Sequence, residues 1–161
     1  MKLNAFTDVC LRALLLLGGD PERRRTTQQV ADEIAVPYNH VVKAVAELRR
    51  RGLLEVTRGR TGGARVTQVG LDQRVGELVR ALSTRTEVVD CQGHESGTPC
   101  PFRRDCAVRN ALYAAREAFF AELDRHTVRE LARTSTLGPV PLGVPSARKP
   151  SATLPTSTPE E

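Results

Sequence analysis

The stretch from Thr26 to Gln68 limits the possible folds most, because three kinds of element follow one another there with almost no spare chain. "TTQQVADEIAVP" opens with Thr26 and has Gln29 three residues later, a capping-box pattern in which each side chain satisfies a free amide at a helix start. Val30 and Ile34 give this short helix an apolar side, and Pro37 disfavours helical backbone just before it. In the next helical segment, "HVVKAVAELRRRG", Asn39 is placed as a cap, Val41, Val45 and Leu48 are spaced inward, and Gly52 gives a left-handed stop. The texture then changes. Leu54 to Thr57 and Ala64 to Thr67 are short runs with β-branched residues around a Gly-rich, Arg-bearing turn, the pattern of a hairpin. Two short helices joined by a tight turn and followed by a basic hairpin make a winged helix-turn-helix.

Charge falls on the same unit. The formal net charge is +5, and all of the excess lies in 43–65, where Lys43, Arg49, Arg50, Arg51, Arg58, Arg60 and Arg65 face only Glu47 and Glu55. A charge run alone is often a solvated face; on a winged helix it points to nucleic acid. A recognition helix enters the major groove with its leading side chains at base edges while flanking cations meet phosphate. Tyr38, Asn39, His40 and Lys43 occupy that leading end. Asn39 and His40 can hydrogen-bond to bases, and Lys43 suits phosphate or guanine. His40 is equally readable as a surface histidine, and Tyr38 as a turn residue packing on the preceding helix. Arg49, at the far end with Arg50 and Arg51, is a backbone contact or faces solvent. Arg58 and Arg60 stand at the wing beside Gly62 and Gly63, where an arginine can probe the minor groove. Affinity should then fall steeply with salt.

The rest of the chain frames this unit in a mainly α fold. A first helix spans about 5–17, with Phe6, Val9, Cys10, Ala13, Leu14 and Leu17 as its stripe. Leu71, Val75, Leu78 and Leu82 space a fourth helix, so the winged domain covers 1–82. A loop at 83–104 follows. A long helix from about 105 to 124 presents Val108, Leu112, Ala115, Phe119 and Leu123, widened by Ala111 and Ala118; so many small residues suit close pairing of two helices. This is the expected dimerisation helix, followed by a short helix capped by Thr127 and Glu130 within 105–133. A homodimer would read a pseudo-palindromic operator. From 134 to 161 the chain is rich in Pro, Ser and Thr without a periodic apolar face, and is expected to be disordered.

Neither an export signal nor a membrane span is visible, so the expectation is a soluble cytoplasmic protein, where structural disulfides are rare. Yet "DCQGHESGTPCPFRRDC" gathers Cys91, Cys100 and Cys106 in one turn-rich stretch. No Cys-x-x-Cys pair exists, so thioredoxin-like chemistry does not apply. Thiolates suit zinc or an iron–sulfur cluster. Either takes four ligands, and His94, Cys10, Asp8 or a residue of a second chain could complete the set. A closed zinc site using His94 and a metal-free thiol switch stay open. Paired catalytic carboxylates, a nucleophile with its base and a nucleotide loop are all missing, so the chain does not read as an enzyme.

Residues 1 to about 133 resemble the Rrf2 family of bacterial transcription regulators. The matching stretches are "FTD" in the first helix, "VPYNHVVKAVAELRRRGLLE", "GRTGG" at the wing, and a three-cysteine loop before a long helix. "VVDCQG" and "CPFRRDC", with "AFFAELDRHTVREL", are most similar to the nitric-oxide-sensing branch of that family. The resemblance implies a DNA-binding repressor with an iron–sulfur cluster, 4Fe-4S rather than 2Fe-2S, held by Cys91, Cys100 and Cys106. It also implies a fourth ligand from the first helix of the partner subunit, at Asp8. A branch that instead uses a histidine three positions after the last cysteine is disfavoured, since Arg109 stands there. Two departures are plain: the gap between Cys91 and Cys100 is long, and Cys10 stands where relatives often have alanine. The alternatives are an Rrf2 regulator of another stimulus and a zinc-stabilised DNA-binding module. A small electron-transfer protein would have no use for the basic wing.

Overall fold

The computed structural model describes residues 3–59, 62–83 and 88–138. Among them the chain forms α1 (Ala5–Gly18), α2 (Thr27–Glu33), α3 (Tyr38–Arg50), β1 (Leu54–Thr57), β2 (Gly63–Val66), α4 (Gln68–Asp72), α5 (Val75–Leu82), α6 (Ala107–Leu123) and α7 (Val128–Thr134). The architecture is the expected mainly α winged helix. None of these helices is long and apolar enough to cross a membrane.

The local signals act largely as the sequence suggests. Asn4 caps α1, its Oδ1 accepting from the Thr7 amide at 2.7 Å, and Val9, Cys10, Ala13, Leu14 and Leu17 then enter the core. The Thr26–Gln29 box at α2 makes both of its bonds, at 3.2 and 2.8 Å. The Thr127–Glu130 box does the same at α7. At the end of α3, Gly52 has φ +74 and the Leu53 amide donates to the Leu48 carbonyl at 2.9 Å, a left-handed stop.

Three expectations need correction. Asn39 does not cap α3. The helix starts two residues earlier than expected, at Tyr38, with Pro37 in the cap position and no side-chain cap bond; the Pro37 carbonyl already accepts from the His40 and Val41 amides. The second strand ends at Val66 because Thr67 is drawn away to cap α4, its Oγ1 accepting from the Gly70 amide at 2.9 Å and donating to the Gly52 carbonyl at 2.7 Å. The single helix expected through Leu71 and Leu82 is two. Gln73 and Arg74 are extended, because Arg74 pairs with Thr127 in an antiparallel bridge, with Val75 N–H on the His126 carbonyl and Val128 N–H on that of Gln73. Leu71, Val75, Leu78 and Leu82 are nonetheless all buried.

The sheet is small and tied down from one side. β1 and β2 pair antiparallel, Leu54 opposite Val66 and Glu55 opposite Arg65. Arg25 adds a one-residue third strand, exchanging two backbone bonds with Ala64 at 3.0 and 2.8 Å. Gly63 makes this approach possible: its φ is +153, and a Cβ there would stand 2.8 Å from the Arg25 carbonyl oxygen. Farther along the chain, α6 packs on α5 through Phe120, which is 1% exposed and lies beneath the guanidinium groups of Arg80 (4.7 Å) and Arg116 (5.1 Å). The expected disordered tail lies outside the described residues apart from 134–138, and Thr134 still belongs to α7.

Candidate nucleic-acid interface and metal centre

The α3 helix is sorted into two faces. Val41, Ala44, Val45 and Leu48 are buried. At roughly 100° per residue the opposite side carries Asn39, Val42, Lys43 and Ala46, with Tyr38 and Arg49 on one flank and His40 on the other; all seven are exposed. The turn that aims this helix is tight. Ala35 has φ +53, the only positive φ of a non-glycine residue among those described, a conformation costing about 1–2 kcal/mol for an L-residue. With no glycine in "EIAVP", nothing in the sequence announced it.

Ion pairing decides which cations of 43–65 are available. Arg50 grips Glu47 with two bonds, at 2.8 and 2.6 Å, and Arg51 adds one at 2.7 Å. Bonds from Arg50 first and Arg51 second push the Glu47 carboxyl down to about 2. Arg51 also donates to the Ala81 carbonyl, fastening α3 to α5. In the wing, Glu55 accepts from Arg24 and Arg65, each at 2.8 Å, and Arg24 reaches Thr57 Oγ1 at 2.8 Å. These two arginines hold the Glu55 carboxyl below its ordinary range. Arg50, Arg51 and Arg65 are therefore partly neutralised within the chain. Lys43, Arg49 and Arg58 are exposed and enter none of these pairs. Arg60 lies outside the described residues.

From Val88 to Cys106 the chain has neither helix nor strand. Its first half folds around Asp90, whose carboxylate accepts from the backbone amides of His94, Glu95 and Ser96 at 2.8–2.9 Å. These bonds, that of Ser96 foremost, pull its carboxyl down to about 2. Gly93 and Gly97 turn the chain with φ near +79 and +75. The Cys100 amide then donates to the Cys91 carbonyl at 3.1 Å. The long gap is thus consumed by a closed turn that returns Cys100 to Cys91. Cys106 occupies the N-cap of α6, its Sγ accepting from the Arg109 amide at 3.4 Å.

The candidate fourth donors differ sharply. Cys10 is fully buried, and desolvation pushes its thiol up to about 12, so it is a core residue and no spare ligand. His94 is exposed, and only its backbone amide is held, by Asp90. Asp8 is half-exposed on α1 and paired with Arg12 at 2.8 Å. Among the described residues no three His, Cys, Asp or Glu side chains converge into a metal-holding group. In kind, three unpaired thiols on an irregular loop and an accessible carboxylate fit the thiolate-rich set of an iron–sulfur cluster. One protomer does not gather them.

A family model described as Rrf2, iron-dependent transcriptional regulator, matches residues 3–134. The HTH-type transcriptional repressor NsrR of Streptomyces coelicolor is 44% identical over 146 residues, covering 89% of this chain and 96% of its own. The chain belongs to the Rrf2 family. It is a DNA-binding transcriptional regulator and not an enzyme. The HTH-type transcriptional regulator NsrR of Shouchella clausii is 34% identical, covering 81% of this chain and 88% of its own. Among solved structures, CymR, the global cysteine regulator of B. subtilis, matches with a TM-score of 0.65 at 20% identity, covering 84% of this chain and 99% of that one. T. potens IscR matches with a TM-score of 0.62 at 18% identity, covering 84% and 89%.

Two features of this Rrf2 chain escaped the sequence reading. Asp90 organises the cysteine loop, and its signal was only an acidic residue before a Gly-rich turn. Phe120 anchors α6, whereas the sequence stripe ran through its neighbour Phe119. The stripe itself divides: Val108 is 66% exposed, and Ala111, Ala115 and Ala118 are exposed beside it, whereas Phe119 and Leu123 are partly buried against the chain's own core.

Proposed function

We propose that this Rrf2 regulator is a cytoplasmic homodimeric repressor that releases a pseudo-palindromic operator when nitric oxide attacks its iron–sulfur cluster. Cys91, Cys100 and Cys106 would hold the cluster, 4Fe-4S in preference to 2Fe-2S, with Asp8 of the partner subunit as fourth ligand. One observation carries the reading: three unpaired thiols lie on one irregular loop, two of them brought back together by the Cys100–Cys91 backbone bond. Similarity to a repressor named NsrR along 96% of that protein's length supports the branch. A cluster, when bound, would supply iron able to react with nitric oxide, and a carboxylate ligand, harder than thiolate, would leave its iron the more labile.

The chain's own residues account for the rest. The Asp90 turn presents Cys91 and Cys100, and the α6 N-cap presents Cys106. The exposed part of the α6 stripe, Val108, Ala111 and Ala115, gives the second copy its place, so that the cysteine loop of one subunit faces α1 of the other. Asp8 must loosen its bond to Arg12, and an exposed pair of this kind is worth only a few tenths of a kcal/mol. On DNA, Tyr38, Asn39, His40 and Lys43 lead α3 into the major groove, while Arg49, Arg58 and Arg60 meet the backbone or the minor groove. The spacing of two wings is then set by whatever ties α1 to the partner's loop.

The test is purification without oxygen, with iron and sulfide analysis, followed by nitric-oxide titration during a DNA-shift assay. Brown, iron-loaded protein that leaves its DNA on titration is the expected result. Colourless protein containing one zinc per chain, indifferent to nitric oxide, favours the zinc-stabilised module instead. An unchanged cluster spectrum in Asp8→Ala removes the inter-subunit ligand.

A further inference from the structure

The outer side of α3 carries an apolar row that its charges leave unexplained. Tyr38, Val42 and Ala46 follow at i, i+4 and i+8, and all are exposed, Tyr38 at 47% and Val42 at 40%. Val41, Ala44, Val45 and Leu48, on the inward side, already complete this helix's share of the core. An exposed valine is also a poor choice for the helix itself, because its β-branch loses side-chain freedom there. Neither folding nor helix formation calls for Val42.

We propose that Val42 is a specificity-determining residue that meets the C5-methyl group of a thymine in the major groove. The inference rests on the DNA-binding reading of α3. The thymine methyl is the apolar feature among the base edges of that groove, and small apolar side chains are its complement. Val42 stands one turn beyond Tyr38, beside the row of Asn39 and Lys43, so it travels into the groove with them. Asn39 is the side-chain type that pairs with adenine, and the two rows together favour half-sites containing A·T pairs. The surroundings suit this partner better than an apolar protein surface, since Lys43 and Arg49 flank the row without an ion pair among the described residues.

The test starts from in vitro selection of a random-sequence duplex pool on the full chain purified without oxygen. Each thymine of the selected half-site is then replaced by uracil, which deletes only the methyl. At one position per half-site the replacement should weaken the unaltered protein about fourfold, the worth of one methyl-sized group leaving an apolar contact. The same replacement should leave Val42→Ala unaffected. That variant should melt at or slightly above the unaltered temperature, because the side chain lies outside the core and alanine is the better helix former. Indifference of the unaltered protein to every uracil, or an equal loss in both proteins, overturns the inference. A pool that never enriches overturns the DNA-binding reading, and this inference with it.

Discussion

The α1–α5 unit and the region from Val88 to Leu123 are built on opposite principles. In the first, every helix sends apolar side chains into one core and the excess charge is pruned by internal pairs: Glu47 holds Arg50 and Arg51, and Glu55 holds Arg24 and Arg65. In the second, thiols stand on an irregular loop without converging, and α6 turns Val108, Ala111 and Ala115 to solvent. The helix-turn-helix unit is complete in one chain; the cysteine-bearing half, on the proposed reading, is finished only by a cluster and a second copy. That asymmetry suits a regulator, because the incomplete half can change state while the complete one stays folded.

The largest effect should come from breaking the complete half. Leu48 is fully buried on α3, and Leu48→Ala should cost about 2–5 kcal/mol of unfolding free energy through lost transfer and cavity terms. In urea titrations the loss should be the same with and without iron. A destabilisation seen only in iron-free protein would show that the reading head depends on the metal after all.

The incomplete half should respond differently. Ala115→Arg places a guanidinium in the middle of the outward α6 stripe, where it is harmless to a monomer. Buried unpaired between two helices it would cost at least about 3 kcal/mol. The dimer dissociation constant should therefore rise about 100-fold or more, read by sedimentation across a concentration series, with the helical signal intact. An unaltered dimer would mean that another surface joins the copies.

The same asymmetry governs what the sequence disclosed. Capping boxes at Thr26 and Thr127, the stop at Gly52 and the inward spacing of Val41, Val45 and Leu48 are local physics, and each was legible. Where a distant strand intervened, legibility failed. The break at Gln73–Arg74 is imposed by Thr127, more than fifty residues away, and the end of the second strand at Val66 by the double use of Thr67. The charge excess of 43–65 was visible, but its division into paired and available cations was not, since it depends on where Glu47 and Glu55 point. Three clustered cysteines identified the candidate centre; the turn around Asp90 that closes Cys100 onto Cys91 needed backbone geometry.

A smaller effect concerns acid. The Glu47 carboxyl is lowered from an ordinary 4.5 to about 2 by its bonds to Arg50 and Arg51. A depressed carboxyl contributes stability that is fully present above its unfolded value and is lost as pH falls through its folded one. Between pH 5 and 2.5 the unaltered chain should therefore lose urea resistance more steeply than Glu47→Gln, which has no carboxylate to protonate. Parallel curves for the two proteins would mean that Arg50 and Arg51 do not hold Glu47 in solution.

The smallest expected change lies on the surface of α1. Arg12 binds Asp8 at 2.8 Å across one helical turn, with both side chains about half exposed (51% and 46%). Solvent screens such a pair, so Arg12→Ala should cost only a few tenths of a kcal/mol. Its value lies in what it does to Asp8. If that carboxylate serves the partner's iron, the arginine competes with it, and its removal should leave iron content intact or slow iron loss to a chelator. Asp8→Ala should speed that loss while matching Arg12→Ala in stability, because both variants delete the same weak pair. Equal iron retention in the two variants would return Asp8 to the reading half of the molecule and leave the fourth ligand to His94 or another group of the loop.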